Sequence, residues 1–109
     1  TGIPWQTRGD HGRFLAELGA AMRETAGVRR FGTASLDLAY VASGRFDGYW
    51  ERDLAPWDVA AGILLVREAG GVVSDLEGGT RALDCGHILA ANEPLHPQIL
   101  KFLKDAARS

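Results

Sequence analysis

The chain has 109 residues, 46% of them apolar, and a net charge of −2. That is one domain with enough apolar side chain for a core, and the near-neutral balance gives no reason to expect a nucleic-acid groove or a membrane-binding surface. No apolar run approaches the ~20 residues that span a bilayer, no charged-then-apolar leader opens the chain, and the lone cysteine, Cys85, excludes an internal disulfide and fits a reducing cytoplasm.

Residues 1–9 are turn-like, broken by Gly2, Pro4 and Gly9. Asp10 caps a predicted helix with an apolar stripe of Phe14, Leu15, Leu18 and Met22, ending at Gly27. Residues 28–31 are predicted as a short strand. The turn Gly32-Thr33-Ala34-Ser35 leads into a second helix carrying Leu36, Ala39, Tyr40 and Ser43 and closed by Gly44. Residues 47–51, rich in aromatics, form the next strand. Pro56 suits the first turn of a helix. Val59, Ala60, Ile63, Leu64 and Val66 leave it almost no polar face before Arg67 and Glu68, which predicts burial nearly all round.

Gly70-Gly71 stops that helix, residues 72–75 follow as a strand, and residues 77–80 turn. Residues 88–91 are a short apolar run, predicted as a buried strand. Asn92 or Glu93 caps a last helix over 94–107, with Leu95, Ile99, Phe102, Leu103 and Ala106 facing inward. Helices alternating with short strands predict a single α/β domain over 1–109: a layered sheet of short, mostly parallel strands with helices on both faces. No internal repeat or linker divides it.

Glu51 ends one predicted strand, and Asp58 falls in the first turn of the following helix. Both then lie on one rim of the sheet, where α/β proteins bind ligands. Each has a plainer role open to it. Asp58 favours the helix dipole, and one aspartate is not a magnesium site, because that ion takes several oxygen ligands. Glu51 can end in solvent or pair with Arg52 or Arg45. The Gly32–Ser35 turn presents helix N-terminal N–H groups that attract anions and hydroxyl oxygens, or it is an ordinary turn with Ser35 as the cap. Asp37 is read as structural, facing either solvent or the rim. His11, His87 and His96 show no metal-ligand spacing, and Cys85 is read as a packing or loop residue.

Trp57-Asp58-Val59-Ala60-Ala61-Gly62, running on to Glu68-Ala69-Gly70-Gly71, resembles the C-terminal signature of the inositol monophosphatase family. The resemblance covers nearly the whole chain from about Gly2. It implies the C-terminal domain of an inositol monophosphatase/fructose bisphosphatase-type sugar phosphatase. Asp58 then matches a magnesium ligand, Glu51 the glutamate that contacts the polyol, and Gly32, Thr33 and Ala34 the turn lining the substrate pocket. No residue of this chain is assigned a direct catalytic step.

The family's Asp-Pro-x-Asp-Gly-Thr loop is absent. With the start at Thr1 in place of a methionine, that points to the C-terminal half of a longer phosphatase, whose missing N-terminal half is its first partner. The half alone is expected to be inactive. The implied activity of the whole is Mg2+-dependent hydrolysis of inositol monophosphate in a cytoplasmic homodimer, with no membrane or direct nucleic-acid contact. The alternatives are another small phosphate ester (fructose bisphosphate, histidinol phosphate or a nucleotide phosphate) or a non-catalytic module contacting the transcription machinery.

Overall fold

The computed structural model describes residues 1–2, 11–29 and 32–108, with residues 107 and 108 described by their backbone alone. The turn at 3–9, the Asp10 cap and the second half of the 28–31 strand lie outside the described residues, while Val28 and Arg29 are not in a strand. In chain order the elements are α1 (His11–Glu24), α2 (Ala34–Ala42), β1 (Gly48–Glu51), α3 (Pro56–Glu68), β2 (Val72–Ser74), α4 (Ala82–Cys85), β3 (Ile88–Ala91) and α5 (His96–Arg108).

The three strands run in the order β1-β3-β2, and both pairings are antiparallel. This corrects the expectation of mostly parallel strands. The α3 crossover does leave β1 and β2 pointing the same way, but β3 returns through the short α4 connection and inserts between them. Tyr49, Ala90 and Val73 share one cross-strand row, and Trp50, Leu89 and Ser74 the next. Side chains alternate between the faces accordingly. Tyr49, Val73, Ile88 and Ala90 pack with α2 and α3, whereas Trp50, Leu89 and Ala91 pack with α1 and α5. The helices therefore cover both faces of the sheet, as the alternation of elements predicts.

Gly62 permits the closest approach between α2 and α3. A β-carbon there would lie 2.5 Å from Cδ1 of Leu38, a fully buried residue. The ends of α2 and α3 are set by Gly44 and Gly70, both in the left-handed region. At the start of α5, Asn92 caps through its side chain, accepting the Leu95 N–H at 3.0 Å.

Two helices bury a different face from the one predicted, and a third buries one face where burial nearly all round was expected. On α1 the inward residues are Phe14, Glu17, Ala20 and Ala21, with Leu15 and Met22 exposed. On α2 they are Ala34, Asp37, Leu38 and Val41, with Leu36 exposed. Each buried face contains a carboxylate, and that displaced the apparent apolar stripe. On α3 only Val59, Gly62, Ile63 and Val66 are buried. Trp57 is 83% exposed, and Leu64 and Leu65 are also exposed, because the described residues supply a packing layer on one side of that helix only.

Candidate active site

Glu51 is the last residue of β1, and its half-buried side chain shares the α2/α3 face with Tyr49 two residues earlier. The Tyr49 hydroxyl donates to Oε1 of Glu51. Burial raises the Glu51 pKa. The Tyr49 hydrogen bond pulls it back down, and the charges of Asp37 and Asp58 push it up again. The tyrosine is itself pushed far up by burial and by its bond to the carboxylate. Two further carboxylates thus lie close enough to act on Glu51 at the strand end: Asp58 at the start of α3 and Asp37 in the first turn of α2.

Between Glu51 and Asp58 the backbone is tied down at successive positions. Asp53 takes a left-handed φ of 61°, unusual for a residue with a side chain. Its N–H donates to Nδ1 of His87 at 3.3 Å, and the Leu54 N–H donates to the carbonyl of Gly86 at 2.9 Å. Gly86 is itself left-handed, and a β-carbon there would lie 2.3 Å from the Leu54 carbonyl oxygen, so only glycine fits under this loop. Pro56 then opens α3. Asp58 accepts the Ala55 N–H at 3.1 Å through Oδ2, while its own N–H donates to the Ala55 carbonyl at 2.9 Å. The side chain is exposed. One oxygen serves the helix start and the other remains available to a ligand.

The Gly32-Thr33-Ala34 turn enters α2 through Gly32, at φ 78°, with Thr33 as N-cap and Ala34 buried in the core. The cap is Thr33, not Ser35, and the threonine side chain makes no capping hydrogen bond. The first-turn N–H groups of α2 therefore lack the usual side-chain acceptor. Asp37 is buried, and its Oδ2 has no hydrogen-bond partner among the described residues. Burial raises its pKa. The structural reading of Asp37 missed this, although a carboxylate three residues after Ala34 lies on the helix's inward face.

No three His, Cys, Asp or Glu side chains come together as a metal cage among the described residues. Asp58 fits a metal as a single oxygen donor, so these residues supply part of a coordination sphere and no more. His87 holds the Asp53 backbone, and Cys85 is exposed at the end of α4, a short helix the sequence reading missed. His96 is buried against Ser74, with Nε2 2.7 Å from the hydroxyl, and burial lowers its pKa.

On the opposite face of β1 lies a second feature with no counterpart in the sequence reading. Glu17 of α1 is fully buried, and both its oxygens accept from the Arg52 guanidinium, the Nη2–Oε2 contact measuring 2.7 Å. The Trp50 indole donates to the same carboxylate at 3.3 Å, and Arg13 approaches it at 3.7 Å. A charge inside an apolar stripe, with an arginine flanking a strand end, was the available signal.

A helix-covered sheet with an acidic rim at one strand end makes this an α/β protein. It belongs to the inositol monophosphatase family, whose model matches residues 1–108. It is 62% identical over 93 residues to an inositol-1-monophosphatase of Rhizobium meliloti, covering 85% of this chain and 35% of that protein. It is 46% identical over 105 residues to the Nus factor SuhB of Salmonella typhimurium, covering 96% of this chain and 39% of that protein. The crystal structure of the extragenic suppressor protein suhB from Bartonella henselae superimposes with a TM-score of 0.90 at 52% identity, over 94% of this chain and 39% of that one. The chain thus spans well under half the length of the relatives it matches.

Proposed function

We propose that the full-length protein carrying this chain is a metal-dependent phosphomonoesterase acting on inositol monophosphate, with Mg2+ as the metal. The observation supporting this reading is the shared rim: Glu51 and Asp58 are joined by a loop tied to His87 and Gly86, and the Asp58 charge acts on Glu51. Asp58 contributes one metal oxygen, and the segment outside this chain contributes the others. When bound, the metal activates a water and stabilises the leaving oxygen. Glu51 accepts hydrogen bonds from the polyol hydroxyls and orients the ring. The Gly32-Thr33-Ala34 turn closes the pocket, and the first-turn N–H groups of α2, which Thr33 does not cap, offer donors to substrate oxygens.

Alone, the chain is inactive on this reading, since one donor does not hold the ion. The exposed Trp57, Leu64 and Leu65 face of α3 would be covered by the rest of the polypeptide. The assembly is a cytoplasmic homodimer. The test is phosphate release by the full-length protein from inositol monophosphate, fructose bisphosphate, histidinol phosphate and a nucleotide phosphate, with and without Mg2+. Metal-independent turnover, or a preference for one of the other esters, overturns the reading at the metal or the substrate respectively.

A second reading is favoured by the relative named as a Nus factor: the full-length protein binds the transcription machinery. Capture of transcription proteins by full-length protein lacking the Asp58 carboxylate supports binding independent of catalysis.

A further inference from the structure

The geometry points to Glu17, acting through Arg52 and Trp50, as the residue that positions Glu51 for substrate. The inference rests on the polyol-binding reading of Glu51 and extends it to a carboxylate on the far side of the sheet.

Alternation along β1 puts Tyr49 and Glu51 on the α2/α3 face and Trp50 toward α1. Arg52, next in line, turns to the α1 side as well and meets Glu17. The two neighbours of Glu51 are therefore both held by one carboxylate: Trp50 by its indole N–H and Arg52 by a two-point guanidinium fork. A fork of this kind fixes direction as well as distance. Glu17 is fully buried, and the Arg52 side chain is only 18% exposed, so solvent does not loosen the pair.

Immediately beyond Arg52, Asp53 swings into its left-handed turn and the loop is bonded to His87 and Gly86. Glu51 lies at the junction of these two sets of restraints. Releasing the α1 side frees the strand end to rotate, and a misplacement of about 1 Å costs binding groups much of their effect. An ordinary packing role for Glu17 would need neither the fork nor its place beside a site residue.

Glu17→Gln in the full-length protein tests this. It keeps the shape and removes the charge that holds Arg52. The readout is the ratio of kcat/KM for inositol monophosphate to that for an aryl phosphate lacking the ring hydroxyls. We expect the ratio to fall about five-fold, with most of the change in the inositol phosphate KM. In a Glu51→Ala background the same substitution should leave the ratio unaltered, because the group it positions is gone. A purely structural role lowers both substrates in proportion to folded protein and leaves the ratio at its wild-type value; that result overturns the inference.

Should Glu17→Gln not fold, Arg52→Lys decides, since it keeps the charge and loses the fork. A fall in its ratio supports the inference and an unchanged ratio overturns it. If Glu51→Ala itself leaves the ratio unchanged, the polyol reading fails and the positioning role falls with it. If Glu51→Ala lowers the ratio and Glu17→Gln does not, only the positioning role is lost.

Discussion

The hydroxyl of Tyr49 donates to the carboxylate of Glu51 from two residues away on the same strand face, inside the core layer formed with α2 and α3. Burial favours the protonated form of Glu51, and this hydrogen bond opposes it by stabilising the charged form. The Tyr49 hydroxyl thus offsets part of the rise that burial and two acidic neighbours impose on the Glu51 pKa. An ionised Glu51 is the stronger acceptor for polyol hydroxyls.

Tyr49→Phe removes the donor without changing the ring. The Glu51 pKa should then rise further, since the side-chain hydrogen bond that lowers it is gone. Binding that needs the ionised form is lost as pH falls through that pKa, so the acidic limb of kcat/KM for inositol phosphate should move to higher pH. A pH profile of the full-length variant checks it. An acidic limb that stays in place or moves to lower pH would show that Glu51 is not the titrating group.

Glu51→Gln keeps reach and shape but replaces a charged acceptor with a neutral one, a difference of about 1–2 kcal/mol per bond. Turnover of inositol phosphate relative to an aryl phosphate should fall roughly ten-fold, as each 1.4 kcal/mol is a factor of about ten. Equal losses on both substrates would assign Glu51 to the metal or to the fold.

Asp58→Asn probes the other end of the loop. The asparagine oxygen still accepts the Ala55 N–H, so the start of α3 should survive with a stability change under about 1 kcal/mol. The charge offered to a metal is lost, and kcat of the full-length enzyme should drop about 10²-fold or more. Near-normal turnover at ordinary magnesium would leave Asp58 with its helix-capping role alone.

The three strands at 48–51, 72–74 and 88–91, and the rim carrying Glu51 and Asp58, were legible because turn glycines and apolar runs mark them locally. Strand direction was not, since a helix between two strands says nothing of a third that later inserts between them. The buried faces of α1 and α2 were misjudged for one reason. Glu17 and Asp37 interrupt the apolar pattern, so the stripe was traced through Leu15, Met22 and Leu36, which lie outside the core. Burial of a charge depends on a partner distant in sequence, here Arg52 for Glu17, and periodicity does not reveal partners. The all-apolar surface of α3 was correctly seen, but burial is set by what packs on a helix as well as by its own composition.

The turn after β2 offers a test of stability against pH. Asp75 accepts backbone N–H groups from Glu77 at 2.9 Å, Gly79 at 2.8 Å and Arg81 at 3.3 Å. Burial alone would raise its pKa, yet these three donors and the Arg81 charge outweigh it and hold the group below the usual carboxylate range. A carboxylate whose pKa is depressed on folding stabilises the native state fully above its unfolded pKa, about 3.9 for aspartate. That contribution is lost as pH falls through the lower folded value. Urea unfolding of the full-length protein should therefore show an acid-side loss of stability that is smaller in Asp75→Asn. At neutral pH the variant should be less stable by about 1–2 kcal/mol, because the amide has one acceptor oxygen for three donors. A variant whose stability follows the wild type in parallel from neutral pH to pH ~2 would mean that the turn is held by its backbone alone.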